Sequence, residues 1–185
     1  MIDVQRVVHV GYVTHYHHAN IIRFCKRPYA NIDEMNEALI ANYNARVGVN
    51  DDTYHLGDFA LKCREVDVEN IVRRLNGKIH LILGNHDRNS VRKARGFVEQ
   101  VDYKELKING QYIIMSHYPF LTWNKRHHGS MAIHGHSHGS IPRDMTEKRL
   151  DIGVDCWNYA PISLDEVLTE MAKVTPKSFT RYEED

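Results

Sequence analysis

The sequence has no surplus charge of either sign: 24 Lys and Arg stand against 24 Asp and Glu in 185 residues. That balance excludes a dedicated long-tract nucleic-acid binder or a membrane-surface protein, which need a basic stripe. No apolar run reaches transmembrane length. Cysteine is scarce, with Cys25, Cys63 and Cys156 widely spaced and odd in number. Neither a disulfide framework nor a CxxC metal site fits such a set. Repeats and low-complexity linkers are also lacking, and residues 1–10, with Asp3 and Arg6, are too polar to read as a signal peptide. Hydrophobic residues make up 42% and charged residues 26%, which rules out wholesale disorder. The expectation is one domain over residues 1–185, its tail from 175 loosely held, in a reducing cytoplasm with no membrane partner. Nothing in the composition addresses the oligomeric state.

What the chain has in excess is histidine, 13 against five phenylalanines. Their placement depends on the elements around them. Residues 4–13 are rich in β-branched side chains and predict a strand that stops at Thr14-His15-Tyr16-His17-His18. Over 31–47, Ile32, Met35, Leu39, Tyr43 and Val47 recur at helical spacing, and Asn31 with Glu34 resembles a capping box. Asp51-Asp52 marks a turn before a short strand at 53–56. A second helix near 66–76 has Val68, Ile71, Val72 and Leu75 on one face and Gly77 as its stop. Residues 78–83 form an apolar strand ending at Gly84. This alternation predicts βαβ units and a largely parallel sheet.

The second half reads differently. Strands at 103–108 and 111–116 flank Asn109-Gly110, a strong hairpin signal. Short strands follow at 131–135 and 149–154, and a closing helix at 163–173 starts with Ser163 and Glu166 in capping-box spacing. The fold class is therefore α/β, with two packed sheets and helices outside.

Five polar clusters fall directly after predicted strands, where α/β proteins gather functional loops. They are His15-Tyr16-His17-His18, Gly57-Asp58, Gly84-Asn85-His86-Asp87, Ser116-His117 and Gly135-His136-Ser137-His138. Imidazole, carboxylate and amide oxygen are ligands for divalent cations such as Mn, Fe, Co or Zn. Taken singly, each cluster has a plain reading: Gly-Asp as a turn, Gly-Asn-His-Asp as a β-turn, His136-x-His138 as two exposed side chains on one strand face. Five in matched positions outweigh that reading, and a metal site is expected.

In order, Gly57-Asp58, Gly84-Asn85-His86-Asp87, Ser116-His117 and Gly135-His136-Ser137-His138 resemble the successive motifs of the calcineurin-like metallophosphoesterases. The stretches 18–22, 54–59 and 153–159 are similar to a small bacterial and phage branch of that family. The resemblance implies a four-layered α/β/β/α sandwich and two divalent ions (Mn, Fe, Zn, Ni or Co). One ion would be held by Asp58, Asn85, His117 and His136, the other by Asp58, His15, His138 and an aspartate two residues before His15. That last position is Val13, which cannot coordinate. The first-motif ion is thus expected to bind weakly, with a valine that the strand end tolerates.

The same resemblance implies hydrolysis of a phosphomonoester or phosphodiester, with His86 stabilising charge and protonating the leaving group. Asp87 would either orient His86 or serve as a turn or helix cap. His18 would contact the phosphate or pack against the site. Basic residues Arg88, Arg92, Lys93 and Arg95, and Lys125 and Arg126 with His127 and His128, lie near the motifs in sequence. Such runs are commonly solvated faces. The expected partner is a small phosphorylated or nucleotide substrate, with nucleic acid less favoured. The alternatives are a single-metal protein that binds a phospho-ligand without cleaving it, and a nuclease.

Overall fold

The structure, a computed structural model, describes residues 7–108 and 110–176. The start of the first predicted strand, turn residue Asn109 and tail residues 177–185 lie outside the described residues. In chain order the strands are β1 (Val8–Val10), β2 (Asp52–His55), β3 (Lys78–Ile82), β4 (Glu99–Val101), β5 (Tyr103–Ile108), β6 (Gln111–Ser116), β7 (Met131–His134), β8 (Arg149–Asp151) and β9 (Ile162–Ser163). The helices are α1 (Ala19–Phe24), α2 (Ile32–Asn44), α3 (Glu65–Val72), α4 (Asn89–Arg92) and α5 (Leu164–Ala172). No helix among the described residues is long and apolar enough to cross a membrane.

The strands form two mixed sheets flanked by helices, as the α/β reading expects. The first runs β4-β3-β2-β1-β9 and the second β5-β6-β7-β8. Strands β1 to β4 pair in parallel, and β9 closes the edge antiparallel to β1. In the second sheet β5 and β6 make the expected hairpin, with Ile108 opposite Gln111, while β6, β7 and β8 are parallel. Register aligns the strand ends: His55 pairs with Leu81, Ser116 with His134, and His134 with Asp151. The loops after these strands therefore emerge side by side.

Alternation along the strands builds the core between the sheets. Ile113, Met115, Met131 and Ile133 meet Val10, Leu56 and Ile82 there. Ile114 and Ala132 face the other way and are covered by Trp123, from the segment between β6 and β7. On the first sheet, Leu81 and Ile79 pack under Met35, Leu39 and Tyr43 of α2 and Val68, Ile71 and Val72 of α3. Helix α2 starts where expected: Asn31 accepts from the Glu34 amide at 2.9 Å, but the Glu34 carboxylate reaches back to the Ala30 amide instead of that of Asn31. At α5 the box is reciprocal, with Glu166 N to Ser163 Oγ at 3.2 Å and Ser163 N to Glu166 Oε2 at 2.7 Å. Its Leu164, Val167 and Met171 join the inter-sheet core, each such burial stabilising by roughly 1.5–3 kcal/mol.

Candidate metal centre

Two glycines let the β2 and β3 loops cross in contact. A Cβ on Gly57 would lie 2.5 Å from the Gly84 amide nitrogen and 2.8 Å from His117 Nδ1. A Cβ on Gly84 would strike the Asp58 carboxylate and backbone. Only hydrogen at both positions allows the approach. Left-handed backbone then turns side chains inward: His15, Asp58, His136 and His138 all have positive φ, between 47° and 62°. Such conformations cost free energy in non-glycine residues, and their concentration at one place points to a site where convergence matters.

The six expected ligands fall in one linked chain of contacts. Asp58 Oδ2 stands 3.3 Å from His117 Nε2 and 3.5 Å from His15 Nε2, between the two halves of the cluster. On one side, His117 Nε2 is 3.0 Å from Asn85 Oδ1 and 3.2 Å from His136 Nδ1. On the other, His15 Nε2 is 3.3 Å from His138 Nε2. An ion with ligands at about 2.0–2.2 Å has neighbouring donors about 3.0–3.6 Å apart, the edges of its coordination polyhedron. These N and O donors fit one. Ligand atoms of Asp58, His117 and His136 all fall within 4.8 Å of one another.

Hydrogen bonds behind the ligands aim them. His117 Nδ1 donates to Leu56 O at 2.7 Å, which leaves Nε2 bare toward Asp58. His138 Nδ1 lies 2.7 Å from Asp155 Oδ2 and so turns Nε2 toward His15. Arg27, buried, forks onto Asp155 at 2.8 and 2.9 Å and donates to Thr14 O at 2.7 Å. It thereby ties the loop of His15 to the carboxylate behind His138. Asp58 Oδ1 accepts from the His86 amide at 2.8 Å.

Electrostatics divide the histidines. Burial lowers His15, His18 and His136, leaving neutral imidazoles with free lone pairs. Burial also acts to lower His117 and His138, but their partners outweigh it: Asp58 raises His117, and Asp155 together with Cys25 lifts His138 to about 9. Burial would raise Asp58, yet the hydrogen bond and charge of His117, with the His86 amide behind, hold its carboxyl well below the usual range.

Of the remaining sequence candidates, His86 and His18 lie beside the ligands. The His86 ring centroid is 5.5 Å from that of His15, and His18 Nδ1 is 3.4 Å from His15 Nδ1. Asp87 does not orient His86. Its carboxylate accepts the amides of Asp58, Phe59 and Gly84, each at 2.8 Å, and so stitches the two crossing loops. That is the turn-bracing alternative, enforced because three buried amides need an acceptor. Burial raises its pKa to about 6 against the pull of those amides.

Val13 is fully buried in the inter-sheet core, its Cγ2 against Gly135 in the space a Cβ there would occupy. Among the basic residues, Arg92 donates to Asp87 O and Arg126 pairs with Glu147, so both brace loops. Sequence reading missed Asp155 and Arg27 as parts of the centre. Their only local signal was the stretch 153–159, and Arg27 lies 128 positions away.

No family model matches the chain. It is 35% identical over 169 residues to the uncharacterized protein MJ1445 of Methanocaldococcus jannaschii, covering 87% of this chain and 90% of that one. It is 29% identical over 154 residues to the gene 66 protein of Mycobacterium phage D29, covering 68% and 77%. The crystal structure of AQ665 from Aquifex aeolicus, a protein of unknown function, superimposes with a TM-score of 0.72 at 25% identity, over 90% of this chain and all (100%) of that one. The fold is thus an α/β arrangement already seen in a solved protein. The chain belongs to the family of MJ1445.

Proposed function

We propose that the chain is a metal-dependent phosphoesterase that hydrolyses small phosphomonoesters or phosphodiesters. One observation carries the reading: Asp58, Asn85, His117 and His136, from four separate loops, present their donor atoms to one point. Neutral nitrogen, amide oxygen and ionised carboxylate are a ligand set for a borderline divalent ion. Asp58, Asn85, His117 and His136 would hold one ion. His15 and His138 would share Asp58 in holding a second, without the carboxylate that Val13 replaces. A divalent ion bound there polarises a phosphate oxygen and lowers the pKa of a coordinated water to about 7.

The chain's own groups do the rest. Asp58 supplies the shared negative charge, fixed by the His86 amide. The Leu56 carbonyl and Asp155 keep His117 and His138 in the tautomers that expose Nε2. His86, half-buried and adjacent to His15 and His18, holds a ring nitrogen proton for the leaving oxygen. His18, buried beside His15 and His86, would supply a second imidazole toward a phosphate oxygen.

Val13 in the apolar core favours one further reading, a protein that keeps a single ion and binds a phosphorylated ligand without cleaving it. A chromogenic phosphodiester assay with Mn2+ separates the two. The hydrolase reading expects turnover that chelation abolishes and that rises in Val13→Asp. Absence of turnover in both proteins, with phosphate still bound, would replace it by the binding protein.

A further inference from the structure

The segment leaving β6 places an aromatic residue against the metal centre. Tyr118 follows His117, and its ring centroid lies 4.5 Å from that of His136 and 5.1 Å from that of His117. Yet the residue is 49% exposed. Its neighbours on the same segment, Phe120 and Trp123, pack on the outer face of the second sheet, whereas the Tyr118 ring lies against the two histidines. Contact with these two histidines leaves half of the residue open to solvent. The loop does not need the ring, because the Ser116 hydroxyl holds the Tyr118 carbonyl at 2.7 Å and Pro119 restricts the next backbone step.

A phosphate held at Asp58, His117 and His136 brings its ester substituent within a few bonds of these rings. The face offered there is flat, apolar and polarisable, and it suits another flat ring more than an alkyl chain. We infer that Tyr118 is the platform on which the aromatic part of the substrate, a nucleobase or an aryl group, stacks while its phosphate occupies the metal centre. The inference rests on the phosphoesterase reading and narrows its substrate class to phosphoesters of aromatic or nucleoside alcohols. The opposing explanation is that Tyr118 only props the His136 ring.

Calorimetric titration of the Mn2+-supplemented protein with phenylphosphonate and methylphosphonate tests this, since their C–P bonds survive ester hydrolysis. Stacking on an aromatic side chain predicts that phenylphosphonate binds roughly 5- to 100-fold more tightly. Tyr118→Leu should erase that preference, with methylphosphonate affinity and Mn2+ content unchanged, and Tyr118→Phe should keep it. Equal affinities in the wild type, or a preference that survives Tyr118→Leu, would overturn the inference while leaving the phosphoesterase reading in place. Loss of methylphosphonate binding or of Mn2+ in Tyr118→Leu would overturn it in favour of a prop for His136. If neither phosphonate binds the wild type, the phosphoesterase reading falls, and the inference with it.

Discussion

The two halves of the histidine cluster are built from the same materials and differ in one. Around His117, an amide oxygen from Asn85, two imidazoles and the Asp58 carboxylate converge. On the other side His15 meets that same carboxylate and His138 meets His15, while Val13 packs in the inter-sheet core. The His15 half is instead braced from behind, by Asp155 and the buried Arg27. Orientation is thus complete in both halves, whereas charge is complete in one. Because Asp155 is neutralised by Arg27, it aims His138 without restoring the negative charge that a dication needs. On the proposed metal reading, unequal affinity of the two halves is the expected outcome.

Asp58 belongs to both halves, so its removal erases the contrast. Asp58→Ala should weaken metal binding at least ~100-fold and abolish metal-dependent turnover, checked by metal titration and rate together. His86→Ala should separate holding from chemistry. It is expected to lower turnover by ~10²–10⁴ through loss of general acid help, with metal content unchanged. Asp155→Asn acts on the His15 half alone. There it should weaken metal binding about 10- to 100-fold, while binding at the His117 half stays as it was.

The same substitution has a pH signature. Burial pushes the Asp155 carboxyl up, but His138 and Arg27 outweigh it and hold it at about 2, against an ordinary 3.8. A depressed carboxyl contributes stability that is full above its unfolded value and is lost as pH falls from 3.8 through about 2. Acid unfolding of Asp155→Asn should lack that step.

Much of the centre was legible because its ligands come in strings of polar residues at strand ends, each abutting a glycine or a turn. The clusters at Gly57, Gly84 and Gly135 mark where the backbone must turn or approach closely, and the structure converges them. Long amphipathic elements were equally readable. Ser163 and Glu166 start α5, and Ile32 to Asn44 follow the spacing read for α2. Helix α1 escaped notice because only Ile21 of its six residues is buried and His18 gives it no side-chain cap. Strand β4 has three half-buried residues with no alternation, and β9 has two residues. Tertiary pairing makes them strands, and no local propensity announces it. Asp87 had two readings in the sequence, orienting His86 or bracing a turn, and local pattern could not choose, because its partners are amides brought by another loop. Arg27 was invisible because a bond spanning 128 positions leaves no local pattern, and Asp155 stood out only as part of the stretch 153–159.

The most direct test is the number of metal ions that purified protein retains after dialysis, measured by atomic emission for the wild type and Val13→Asp. One tightly held ion per chain is expected in the wild type, lost in His117→Ala, with a second gained in Val13→Asp. Without metal, Val13→Asp should also lose about 2–4 kcal/mol of stability, since it buries a carboxylate in an apolar core. Two ions retained by the wild type would contradict the asymmetry of the halves. None retained by either protein would contradict the metal centre itself.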